Sequence, residues 1–264
     1  MNIFIHELKA NRKSLLIWSG SLTALSILYI LLYSAVLPDI EAFKIVINGM
    51  PDIAKKLLSI YADSISSLEG FYSFAFLYIM LCGAIQAMNL SVSIFSKEDR
   101  ERTADFLLTK PIKRKDILTY KLLAALACLI ITNIIFFALT IPTALSISSD
   151  FNMKTFLMVS ATMFFVQLIF MALGIIVSVV SGRIKSVISV SLSTVFGFFI
   201  ISMLGSVIGD ERVRYISPFQ FFNLPYIVKN AAYETRFIII GAVFIIAAII
   251  ASYIIFIKKD VHSV

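Results

Sequence analysis

Charged residues and histidine are absent from every long apolar run of this 264-residue sequence. No Asp, Glu, Lys, Arg or His occurs within the six runs, which cover residues 15–37, 71–95, 122–147, 156–181, 187–208 and 237–257. Proton- and ion-coupled carriers usually place such groups at membrane depth, because costly residues persist there only where they work. The absence disfavours an ion-coupled carrier, although carriers that use only backbone and hydroxyl ligands keep that class open.

Histidine and a phosphate-binding loop are missing where catalysis would need them. The only histidines, His6 and His262, lie near the two ends of the chain, so a His-based metalloprotease or a Ser–His hydrolase lacks its parts. No Gly-x-x-x-x-Gly-Lys-Ser/Thr sequence occurs. Cys82 and Cys128 both lie in apolar runs, which argues against a disulfide in an exported loop. We expect no catalytic site, no metal site and no cofactor in this chain.

Apolar residues are what the sequence has in abundance. Hydrophobic residues make up 59% of the chain and charged residues only 15%, whereas an ordinary soluble domain is about a quarter charged. Each apolar run is long enough to cross a bilayer, since about 20 residues suffice in a helix. The sequence therefore predicts an all-α polytopic membrane protein, with one domain over residues 1–264 and six transmembrane helices.

Short helices are predicted between and before the spans. Residues 1–14 alternate apolar with charged residues, which is typical of an amphipathic helix on the membrane surface. Pro38 should end the first span, and Pro51 should separate two short interfacial helices in the loop 39–70. Pro142 predicts a kink near the end of the third span.

The distribution of basic residues predicts the orientation. Fifteen of the 23 Lys and Arg residues lie in the N-terminal segment, the 97–121 loop, the 182–185 hairpin and the C-terminal tail. The other eight lie in the three opposite loops, together with nine acidic residues. Because Lys and Arg favour the cytoplasmic side, both termini are predicted to be cytoplasmic in a multi-pass protein of the cell membrane. The net charge of +7 is then explained by the basic cytoplasmic loops, and no nucleic-acid partner is expected.

The densest cluster of charge follows the second span directly. Ser96 and Asp99 have the spacing of a capping box that starts a helix, and Glu98 can pair with Arg102 one turn later. Pro111 should end this helix. The segment is expected either to meet a partner or to lie as a plain interfacial helix on the membrane. If transport is active, the energy must come from another polypeptide, and this segment is the obvious docking point.

A few polar side chains remain inside the spans. The amides are Gln86, Asn89, Asn133 and Gln167. Hydrogen bonds between helices are the favoured explanation for these amides, over direct contact with a substrate. The fifth run is rich in hydroxyls, including Ser189 and Ser193. These either line a hydrated path or bond to their own backbone.

Residues 101–114, followed by Lys121, resemble the cytoplasmic segment of ABC-2 type transporter permeases. The shared features are an acidic residue near a Thr, a Leu-Leu pair, a Pro, a basic residue and a later Lys. Arg102 stands where the family often has Gly. Residues 82–89 and 217–219 also resemble the family, as does the order of an interfacial helix and six spans with cytoplasmic termini.

This resemblance implies a permease half that pairs with an identical or homologous half and transports its substrate outward. It implies docking of ABC ATP-binding subunits, which hold ATP and Mg, on the residues Glu98, Asp99, Glu101, Thr103, Asp105, Phe106, Leu107, Leu108, Pro111 and Arg114. It also implies a pathway lined by spans two and five, where the candidate residues are Gln86, Asn89, Ser189 and Ser193. The alternative is an ATP-independent secondary carrier or channel, and no substrate is indicated.

Overall fold

A computed structural model describes residues 3–58, 65–101, 113–148, 151–181 and 184–258, apart from the side chains of Asp99 and Glu101. The described residues form helices and no strand. Six helices are long and apolar enough to cross a membrane; they are α1 (Ile3–Val36), α4 (Leu68–Phe95), α6 (Arg114–Ile147), α7 (Met153–Val180), α8 (Val187–Ile208) and α11 (Thr235–Lys258). The predicted all-α fold with six membrane-spanning helices is confirmed.

Within the described residues, five shorter helices lie between these spans. They are α2 (Ile40–Asn48), α3 (Asp52–Leu58), α5 (Lys97–Glu101), α9 (Glu211–Arg214) and α10 (Leu224–Asn230). Helices α2 and α3 lie on either side of Pro51, as predicted. Single 3₁₀ turns occur at Leu37–Asp39 and Pro218–Gln220.

Helix α1 differs from the expectation for residues 1–14. It runs without a break from Ile3 to Val36, so the described part of this segment is the start of the first span rather than a separate surface helix. Two facts explain the continuity. No proline occurs before Pro38, which falls in the 3₁₀ turn just after α1. In addition, Ile3 and Glu7 are buried inside the bundle, so the inner face of the helix continues to its first turns.

Helices α4 and α7 form the centre of the bundle. They pack against each other along their length, α1 and α6 form a second close pair, α11 packs against α7, and α8 packs against α4. Glycine permits the close approach of α7 to α4. A Cβ atom at Gly174 would lie 2.1 Å from the Ser91 Oγ atom and 3.2 Å from the Met88 carbonyl oxygen. Small residues allow membrane helices to approach in this way.

The third span begins on the side of the bundle where the last span ends. The hydroxyl groups of Thr119, near the start of α6, and Tyr253, near the end of α11, are 2.7 Å apart. The start of α6 also meets the end of α4, because Lys121 donates to the Ile94 carbonyl. At the opposite side, the Tyr33 hydroxyl near the end of α1 donates to the Ser66 carbonyl before α4.

The helix limits follow the apolar runs to within about three residues, except that α1 and α6 begin well before their runs. Helix α6 begins at Arg114 instead of Leu122, so the last part of the predicted 97–121 loop is helical. The same helix continues through Pro142 to Ile147.

The segment at 217–219 packs inward, since the buried Ser217 hydroxyl donates to the Phe198 carbonyl at 2.8 Å.

Candidate functional site

Two ion pairs hold the start of the charged segment against the spans. The Lys97 Nζ atom in α5 lies 3.8 Å from a carboxylate oxygen of Glu7 in α1. The next residue, Glu98, forms an ion pair with Lys121 in α6. Lys121 Nζ also donates to the carbonyl oxygen of Ile94, at 2.8 Å, in the last turn of α4. Ion pairs therefore attach α5 to α1 and α6, and α5 follows α4 directly in the chain. We call the four charged residues Glu7, Lys97, Glu98 and Lys121 the clamp.

Burial makes the clamp sensitive to charge. Lys121 is 2% exposed and Glu7 is 4% exposed. Buried charges are tolerated only when they are paired and hydrogen-bonded. The carbonyl at the end of α4 supplies partial negative charge to the Lys121 ammonium, and the Phe95 ring centre lies 5.9 Å from it, within cation–π range. The environment of Lys121 thus requires a cation.

Ser96 and Glu98, at the start of α5, bind partners on the adjoining spans. The Ser96 hydroxyl donates to the Val92 carbonyl at 2.7 Å, so it acts as a donor to the preceding helix. Glu98 pairs with Lys121. The predicted partner Arg102 and the side chain of Asp99 lie outside the described part of the chain, so the pairing of Glu98 with Arg102 and the capping box stay predictions.

The predicted docking residues are only partly described. Glu98 belongs to the clamp, and Arg114 is a half-buried residue at the start of α6. For Asp99 and Glu101 the structure describes only the helical backbone. The others lie outside the described residues; these are Thr103, Asp105, Phe106, Leu107, Leu108 and Pro111. Their role in docking stays a prediction.

Sequence reasoning did not place Glu7 or Lys97 in a functional site. One signal was present, because Glu7 is the only acidic residue among the first fourteen and three basic residues follow it. An isolated acid in a basic segment needs a partner if it is buried, and burial could not be seen from the sequence.

A chain of hydrogen bonds joins four spans inside the bundle. The Gln86 amide donates to the Thr132 hydroxyl at 2.8 Å and accepts from the Gln167 amide at 3.0 Å. Asn133 donates to Gln167 at 2.6 Å, and the Ser19 hydroxyl donates to Thr132 at 3.2 Å. These residues come from α1, α4, α6 and α7. The prediction of hydrogen bonds between helices is confirmed for Gln86, Asn133 and Gln167.

The two pairs of predicted pathway residues lie in different places. Gln86 and Asn89 line a cavity of about 120 Å³ between α1, α4 and α6. Ser189 and Ser193 do not line it; they lie on the exposed face of α8, where the Ser193 hydroxyl donates to the Ser189 carbonyl at 2.7 Å. Within one chain, the structure therefore does not join these four residues into one path.

A second charged cluster lies at the other end of the bundle. Glu234 pairs with Arg214 at 2.5 Å and with Arg236 at 3.1 Å, and Arg236 also pairs with Glu211 at 3.0 Å. The guanidinium carbons of both arginines lie over the Phe237 ring, at 4.3 and 4.9 Å from its centre. Burial raises the pKa of Glu234, but hydrogen bonds from both arginines outweigh burial and leave this pKa below its usual value.

A family model described as "ABC-2 family transporter protein" matches residues 1–261. The chain belongs to the ABC-2 transporter family. It is accordingly a multi-pass membrane permease, and the resemblance found at residues 101–114 is confirmed. No curated protein gives a significant match to the sequence.

Proposed function

We propose that this ABC-2 permease is the membrane subunit of an ATP-driven exporter, powered by separate ATPase subunits that dock on residues 98–115. The family match supports the permease role. The sequence contains no phosphate-binding loop, so ATP and Mg would be held by the partner. In this proposal the permease supplies the pathway and the partner supplies the energy.

The observation that carries the proposal is the attachment of α5 to three spans. A docked ATPase would move residues 98–115 when it closes on ATP. The Lys97–Glu7 and Glu98–Lys121 pairs and the bond from Lys121 to Ile94 would pass that movement to α1, α6 and α4 together. Rigid-body shifts of packed helices are a common means of switching between two states. The clamp lies between residues 98–115 and the spans, which is where such a shift would begin.

A second permease half, identical or homologous, is part of the proposal. In the apolar stretches of α8 and α11, 22% and 17% of residues are buried, against 61% in both α4 and α7. The outer faces of α8 and α11 are free to meet lipid or a second half. Ser189 and Ser193 on α8 are small enough to permit close helix contact, and a pathway between halves would bring them beside it.

The orientation in the proposal has residues 98–115 and both termini in the cytoplasm. The excess of basic residues at that end supports this orientation. The shared end of α1, α6 and α11 in the bundle agrees with it.

The experiment that tests the proposal is reconstitution with and without an ATPase partner. The purified permease should hydrolyse no ATP. The complex of the permease with the ATPase partner, in lipid nanodiscs, should hydrolyse ATP, and the partner should be the subunit that binds it. Substrate movement in proteoliposomes should require both ATP and the partner. Movement driven by an ion gradient, with no ATPase present, would instead establish an ATP-independent carrier or channel.

A further inference from the structure

The cavity between α1, α4 and α6 is lined by polar groups that have no partner inside the protein. Within the part of the chain that the structure describes, the side chains of Ser14, Trp18, Asn89 and Ser93 make no hydrogen bond. Asn11 uses its amide nitrogen to donate to the Glu7 carbonyl, and its amide oxygen is an acceptor. Polar groups in a membrane protein are costly unless they are satisfied. This cavity therefore has unused capacity to donate and accept hydrogen bonds.

The lining carries no formal charge. Its nine residues include no Asp, Glu, Lys, Arg or His, and the Cys128 thiol is the only ionisable group among them. A charged group entering the cavity would lose water without gaining a counter-ion. A neutral group with hydroxyls would find amide and hydroxyl partners instead, so the lining selects for uncharged polar chemistry.

The position of the cavity suits a head group at the membrane interface. Ser93, Asn89 and Gln86 lie two, six and nine residues before the end of α4. At about 1.5 Å per residue, they lie roughly 3–14 Å inside the helix end. Trp18 in the wall is a residue type enriched at this depth. Beside it, Leu16 and Ile17 expose 64% and 67% of their surface, which offers an apolar path for attached acyl chains.

The size of the cavity limits what it can hold. A volume of about 120 Å³ equals that of about four water molecules in the liquid, at roughly 30 Å³ each. A three-carbon polyol or one face of a sugar ring fits this space.

We propose that this cavity binds the neutral, hydroxyl-bearing head group of an amphipathic molecule. Asn89 and Ser93 would exchange hydrogen bonds with its hydroxyls, and Trp18 would cover its apolar face. The floor of the site is Gln86, whose amide also joins α4 to α6 and α7. Occupancy would therefore act on the contacts between these spans. The site is formed by this chain alone and needs no ATPase.

The test uses the emission of Trp18, which is the only tryptophan in the chain. The full-length permease is placed in phosphatidylcholine nanodiscs that contain a small fraction of lipid with brominated acyl chains, since bromine quenches indole fluorescence on contact. One series carries a brominated monoglucosyl diacylglycerol, and the other carries brominated phosphatidylcholine. The glucosyl lipid should reach half-quenching at a mole fraction lower by about threefold or more.

Variants identify the site. The preference for the glucosyl lipid should disappear in the double variant Asn89→Leu, Ser93→Ala. The preference for the glucosyl lipid should weaken in Ser14→Ala. This variant removes an exposed hydroxyl that makes no bond inside the protein, so it tests the site even if the double variant does not fold. The matched control is Ser34→Ala with Ser146→Ala, two exposed hydroxyls that bond only to their own helices; it should keep the full preference.

A final experiment distinguishes binding of a lipid head group from binding of a free polyol. Glucose or glycerol added in water should reverse the quenching if the hydroxyl group alone is bound, and should not if the lipid anchor is required. Equal quenching by the two brominated lipids in the unmodified protein would overturn the proposal. An unchanged preference in both Asn89→Leu, Ser93→Ala and Ser14→Ala would overturn it as well.

Discussion

Glu98 and Lys121 form an ion pair that joins α5 to α6, although 23 positions separate them in the sequence. Lys121 is almost fully buried, whereas 19% of the Glu98 side chain remains exposed. The pair therefore closes the charged segment at its base: the chain leaves α4 at Phe95 and returns along α6 to the same point. The two ends of the charged segment therefore meet at the Glu98–Lys121 pair.

We expect Lys121→Met to destabilise the permease by roughly 3 kcal/mol, because removing one partner of a buried pair leaves the other charge uncompensated. The value falls at the low end of the range, since Glu98 keeps some contact with water. Thermal unfolding of the purified protein in detergent measures the effect. Lys115→Met, at an exposed position in the first turn of α6, is the control and should stay within about 0.5 kcal/mol of the unmodified protein.

The same pair predicts a non-additive double variant. Lys121→Met combined with Glu98→Gln should cost less than the sum of the two single changes, because no unpaired charge remains. Additive losses would show that the two side chains stabilise the protein independently.

We expect Phe106→Ala to weaken binding of the ATPase subunit far more than Lys115→Ala does. Loss of a buried aromatic anchor commonly costs about 2 kcal/mol or more, whereas a charge at the rim changes mainly the association rate. Affinity is measured by titrating the ATPase subunit onto nanodisc-bound permease, and ATP turnover is measured in parallel. If Phe106→Ala leaves both unchanged, the segment is a plain interfacial helix.

Acidification should loosen the Glu234 cluster. The pKa of Glu234 lies below the usual value of 4.5, so its pairing with Arg214 and Arg236 stabilises the folded state at pH above that value. This contribution is lost as the pH falls from about 4.5 through the lower pKa of the folded protein. The unmodified protein should therefore lose more thermal stability between pH 6 and pH 3 than Glu234→Gln does.

The control for this pH effect is Glu41→Gln. Glu41 pairs with Lys44 on the surface, and its side chain is 79% exposed, so the pair contributes little. Glu41→Gln should follow the pH profile of the unmodified protein. An identical profile for Glu234→Gln would contradict the assigned role of the Glu234 carboxylate.

Cysteine labelling should establish the orientation. On a background with Cys82 and Cys128 replaced by Ala, Ile45→Cys should react with a membrane-impermeant maleimide in intact cells, because Ile45 is 73% exposed on α2. Lys115→Cys should react only after permeabilisation. Labelling in the reverse order would place residues 98–115 outside the cell.

The number of spans could be read from the sequence, because backbone groups in a lipid environment must bond within their own helix. An apolar run free of charge is then both helical and membrane-crossing. The run 187–208 matches α8 at both ends, and Gly209, with φ of +72°, supplies the left-handed residue that commonly follows a helix. The same local rules separated α2 from α3 at Pro51.

Only the tertiary structure decided which polar groups meet. Ser19 and Thr132 are 113 positions apart, and Glu7 and Lys97 are ninety apart, yet each pair is brought together by the packing of different spans. Local sequence sets the face on which a side chain stands, but the neighbour of that face depends on how all six helices pack. For the same reason the sequence did not indicate that Glu98 would meet Lys121, which packing brings beside it from α6.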